Sequence, residues 1–104
     1  MAARLDIVLE RIRALLAATE SGRPSRDRLE GTLTEGYAEA LALDGERLRL
    51  ERRIDEVTAR LAAGEKTRPN ELRTLTVRIA TVENDLADLR ELLSTLRSRA
   101  TRAA

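Results

Sequence analysis

Cysteine, histidine, tryptophan and phenylalanine are all absent from this chain of 104 residues, and Tyr37 is its one aromatic residue. Each absence removes a class of chemistry. Without histidine or cysteine there is no imidazole acid–base catalyst, no thiol nucleophile, no disulfide and no zinc site of the usual nitrogen–sulfur kind. A di-iron bundle built on Glu-x-x-His motifs is excluded for the same reason. Long hydrophobic runs are missing too. The opening stretch carries Asp6, Glu10, Arg11 and Arg13 among its apolar residues, which breaks a signal-peptide core. No segment approaches the ~20 apolar residues that would span a bilayer, so a soluble cytoplasmic protein is expected.

Charge of one sign is also lacking. Lys plus Arg number 19 against 18 Asp plus Glu, a net of +1. Nucleic-acid binding needs a sustained positive surface or stacking aromatics, and the chain offers neither over any length. Its basic stretches, Arg47–Arg53 and the end with Arg97, Arg99 and Arg102, make a nucleic-acid-associated regulator the second reading. Remaining acids such as Glu35 with Glu39, or Asp85 with Asp88, sit at helical spacing among arginines. They read as solvated faces, so no catalytic residue, metal site, cofactor or small-molecule substrate is expected. Gly64-Glu65-Lys66-Thr67 lacks the strand and the spaced first glycine of a phosphate loop and reads as a turn.

What is present is leucine, alanine, arginine and glutamate in helical order. Two Gly–Pro marks, Ser21-Gly22-Arg23-Pro24-Ser25 and Gly64 to Pro69, divide the chain into three helices at about 3–20, 26–63 and 69–100. Ser25 is the expected N-cap of the second, and Pro69 a first-turn residue of the third. The tail from Ser98 is expected to fray.

In the third helix Leu72, Leu75, Ile79, Val82, Leu86, Leu89, Leu93, Leu96 and Ala100 alternate spacings of three and four, the mark of a coiled-coil seam. The second repeats it with Leu33, Gly36, Ala40, Leu43, Arg47, Leu50, Ile54, Val57 and Leu61. Gly36 and Ala40 invite close approach. Arg47 is a charge in the seam, expected to pack its stem and lift its guanidinium to water. The short linker folds helices 2 and 3 into an antiparallel hairpin. Its flanking charges favour a register with Leu61 opposite Leu75, which pairs Arg53 with Asp85, Glu39 with Arg99 and Asp44 with Arg90. A one-heptad shift, with Ile54 opposite Leu75, matches fewer charges.

Helix 1 carries a broad stripe of Leu5, Val8, Leu9, Ile12, Leu15 and Leu16, the width of a bundle helix. Surplus apolar residues on the partners, Tyr37, Leu41, Leu48 and Leu92, offer it a dock. The expected fold is therefore all-α: a coiled-coil hairpin with helix 1 packed at one end as a three-helix bundle, in one domain over 1–104. Tyr37 is expected in the core of that junction. Seam and surplus positions Tyr37, Leu41, Arg47, Leu48, Leu86, Leu89, Leu92, Leu93 and Leu96 are the candidate interaction residues. The function expected is a non-enzymatic protein–protein interaction module, an adaptor, assembly factor or regulator, with a protein partner, a second copy of itself or both.

Overall fold

The computed structural model describes residues 2–22 and 24–103; Arg23 of the first linker and Ala104 of the tail lie outside them. The fold is all-α, with α1 at Ala2–Ser21, α2 at Arg26–Ala62 and α3 at Glu71–Ala103. α2 and α3 pack most extensively on each other, and α1 contacts both. By their packing the residues form two compact units: one holds the chain up to Leu41 together with Ala87 onward, and the other is Ala42–Leu86.

The helix ends have identifiable causes. Ser25 caps α2, its hydroxyl accepting from Arg28 N–H at 3.2 Å while its carbonyl accepts from Leu29 N–H at 3.0 Å. At the other end Gly64 takes a φ of 80°, Gly64 N–H donates to Leu61 O and Glu65 N–H to Arg60 O. This paired arrangement closes a helix around a left-handed residue, a conformation that costs glycine nothing. Pro69, expected inside α3, instead precedes it. Asn70, at φ 65°, bars a helical continuation backward and its carbonyl receives Thr74 N–H at 2.9 Å. Asparagine tolerates that conformation better than most residues. Gly31, Gly36 and Gly45 interrupt nothing, since α2 runs through all three.

In the three-helix unit Leu5, Val8, Ile12 and Leu15 of α1 are buried with Leu29 and Ala40 of α2 and Leu89, Leu93 and Leu96 of α3. Gly36 makes the closest approach: a Cβ placed on it would lie 2.3 Å from Leu93 Cδ2. Arg4 to Glu39 and Arg11 to Glu35 run α1 antiparallel to α2. Arg99 donates to the Leu16 carbonyl at 2.9 Å and the Thr19 hydroxyl at 3.1 Å. This anchorage corrects the expectation of a frayed tail, for residues 98–103 are helical.

The hairpin unit buries Leu43, Leu50 and Val57 against Leu75, Val82 and Leu86. Arg53 crosses to Glu71 at 2.7 Å and Arg78 to Glu46 at 4.0 Å, which fixes the two strands of the hairpin as antiparallel.

The register differs from the one the flanking charges favour. Within the hairpin unit Leu61 is 45% exposed instead of buried opposite Leu75. Within the three-helix unit Gly36 faces Leu93, whereas the favoured register would set it opposite Ala100. Glu39 is taken by Arg4 and Arg99 by α1, so the expected Glu39–Arg99 pair gives way; Arg53 turns to Glu71. Exposed ion pairs contribute little, and a leucine seated over a glycine outweighs them by removing apolar surface from water.

Candidate functional site

A buried seam cannot meet a partner while the chain is folded, so the informative residues are large apolar side chains that burial has missed. In the three-helix unit these are Ile7 on α1 and Tyr37 and Leu41 on α2, with Leu41 74% exposed and Tyr37 45%. This overturns the expected role of Tyr37 as a core residue and of Tyr37 and Leu41 as the dock for α1. The reason is angular. The α1–α2 ion pairs fall on Glu35 and Glu39, and α1 therefore covers the side of α2 that carries Thr32 and Glu39, both buried, while Gly36 faces Leu93 of α3. Tyr37 and Leu41 follow Gly36 and Ala40 by one position, about 100° round the helix, and emerge into solvent.

Of these three exposed residues Ile7 lines a groove between α1 and α2. One depression of about 540 Å³ is lined by Ile7, Thr34 and Ala38 among others, and a second of about 440 Å³ by Ala14, Gly31 and Thr32. Arg11 and Glu35 line both and form an ion pair between the helices, dividing the groove. Small residues, Ala14, Gly31 and Ala38, make the walls shallow enough for another helix to approach.

Glu39, expected on a solvated face, is 7% exposed. Arg4 Nε lies 3.3 Å from its Oε2, yet that oxygen receives no hydrogen bond. The contact is therefore Coulombic, with an alignment too poor for a hydrogen bond.

The other candidates are placed as follows. In the hairpin unit Leu86 is buried and Leu48 exposed, and in the three-helix unit Leu89, Leu93 and Leu96 are buried and Leu92 half-buried. Arg47 is half-buried, and its guanidinium donates to Asp44 at 2.9 Å and to Glu51 at 2.7 Å on its own helix. Hydrogen bonding to Asp44, then the field of Glu51, raises its pKa above the usual arginine value. Arg53 is raised likewise, first by its hydrogen bond to Glu71 and then by that to Glu56. Two of the four arginines of the basic stretch, Arg47 and Arg53, are thus turned toward carboxylates of this chain.

Among the described residues no group of three acidic side chains gathers as a metal site would require, and no helix is long and apolar enough to cross a membrane. Ile7 is the residue that sequence reasoning passed over. Its signal was present: it is the one large apolar residue of α1 outside the broad core stripe. Compared with known proteins, the chain matches no family model, no curated protein and no solved structure.

Proposed function

We propose that the chain is a non-enzymatic protein–protein interaction module of the cytoplasm, an adaptor, assembly factor or regulator that acts through helical surfaces and self-associates. The observation that carries this reading is the exposure of large apolar residues in the three-helix unit, Ile7 in the lining of the α1–α2 groove and Tyr37 and Leu41 on α2. Scattered exposed apolar residues are ordinary, but a groove lined by Ile7 and Val8 with the small Ala38 opposite suits an amphipathic helix, whose apolar face enters while its polar face stays in water.

The test is quantitative binding to a partner cross-linked in the native host. Leu41→Glu and Tyr37→Ala leave the helical circular dichroism and melting of the chain unchanged and weaken capture. Undiminished capture by both variants would remove this surface from the reading.

A further inference from the structure

The stripe that seats α1 repeats itself. Leu5 and Ile12 are seven residues apart, as are Val8 and Leu15, and all four are buried. Seven residues are two turns, about 10 Å, after which a helix presents nearly the same face. A slide of α1 by that distance would therefore still lay apolar side chains on the core. Arg4 and Arg11 are seven apart too, so one direction of slide brings Arg11 to the place of Arg4 beside Glu39. The link to α2 does not forbid the slide. From Ser21 to Arg26 five residue steps reach about 17 Å, and packed helices lie about 8–10 Å apart, which leaves about 14 Å along the axis.

One contact does not repeat. Near the end of α1 the Arg99 guanidinium, arriving from α3, donates to the Leu16 carbonyl at 2.9 Å and to Thr19 Oγ1 at 3.1 Å, with the Glu20 carboxylate 3.8 Å away. Thr19 donates in turn to the Leu16 carbonyl at 2.7 Å, which aims its lone pairs at the guanidinium. Seven residues earlier stand Leu9, Ile12 and Arg13. A slide that brings these to Arg99 puts Ile12 in place of the hydroxyl and Arg13, a like charge, in place of the carboxylate. The opposite slide, the one that keeps an arginine on Glu39, draws the end of α1 away from Arg99 altogether. Charge-assisted hydrogen bonds from a rigid fork distinguish positions that apolar contacts treat alike.

We propose that Arg99 is the positioning residue of the three-helix unit: from α3 it pins α1 in one of several apolar-equivalent registers on α2. The consequence reaches the groove. Ile7 and Ala38 line one depression and Ala14 and Gly31 the other, so a seven-residue advance on α1 matches a seven-residue retreat on α2. A slid α1 would set Ala14 opposite Ala38 and remove the Ile7 wall. Arg99 lines neither depression and shapes both.

Because the chain has no cysteine, paired cysteines joined by a short bifunctional thiol reagent read the register in the full chain, with circular dichroism as the folding control. Ile7→Cys with Ala38→Cys reports the observed register, and Ala14→Cys with Ala38→Cys the slid one. The ratio of the two rates favours the first and falls about tenfold on Arg99→Ala. Arg99→Lys, which keeps a charged donor, restores part of it. Thr19→Val, which removes only the acceptor hydroxyl, lowers the ratio less and serves if Arg99→Ala does not fold. Arg97→Ala, at an exposed arginine of the same helix, leaves it unchanged. A ratio indifferent to both Arg99→Ala and Thr19→Val, or equally sensitive to Arg97→Ala, would overturn the proposal. So would two rates that fall together, since Arg99 would then hold α1 down without choosing its place. No partner enters the measurement, so its failure leaves the interaction reading standing.

Discussion

The three-helix unit and the hairpin unit draw on the same heptad repeats and reach different degrees of burial. Of the large side chains shielded most completely, Ile12, Leu15, Leu89, Leu93 and Leu96 belong to the three-helix unit and only Val57 to the hairpin. The cause is the number of neighbours. A seam between two helices has two open edges, and residues a few tens of degrees off its centre, such as Ile54 and Ile79, stay half in water. A third helix closes one edge, which is why α1 needs a broad stripe. Polar contacts follow the same division: Arg99, Arg4 and Arg11 staple α1 to its neighbours, while Arg53 and Arg78 close one flank of the hairpin.

The strongest challenge to this contrast is a charge in the hairpin seam. Leu86→Asp places an unpaired carboxylate where exposure is 3% and should cost several kcal/mol; thermal unfolding at unchanged midpoint would refute the heptad assignment. Next comes truncation in the better-filled unit. Leu89→Ala should cost about 2–5 kcal/mol in chemical denaturation, more than Leu75→Ala in the hairpin, and equal losses would erase the distinction.

Glycines sharpen it further. Gly36→Ala drives a methyl group into buried Leu93, so an overpacking cost of about 1–3 kcal/mol offsets or exceeds the helix-propensity gain of about 1 kcal/mol. Gly31→Ala meets nothing within 4 Å and should keep the whole gain as a higher melting midpoint. The smallest expected effect is Arg53→Ala. It should lower the midpoint slightly in dilute buffer and negligibly at ~1 M salt, where the screening length is about 3 Å.

Helix number, the ends of α2 and the antiparallel hairpin were legible because spacing, Ser25 and Gly64 act locally. The register was not: charge rules on exposed flanks are weak, and the decisive contact, Leu93 over Gly36, depends on how near two backbones come. Tyr37 was misplaced for a related reason. Its apolar row on α2 is real, but the side that α1 covers is set by Glu35 and Glu39, and no pattern within α2 alone announces it. Of the candidate surface, Leu41 and Tyr37 were named from the sequence, whereas the groove lined by Ile7 exists only once two helices are brought together.

The ion pairs that close one flank of the hairpin bear on its alignment. Sliding α3 along α2 by one heptad would carry Arg53 about 10 Å from Glu71 and Arg78 as far from Glu46. Two modest surface contacts, nearly worthless as stabilisers, thereby penalise a slipped pairing.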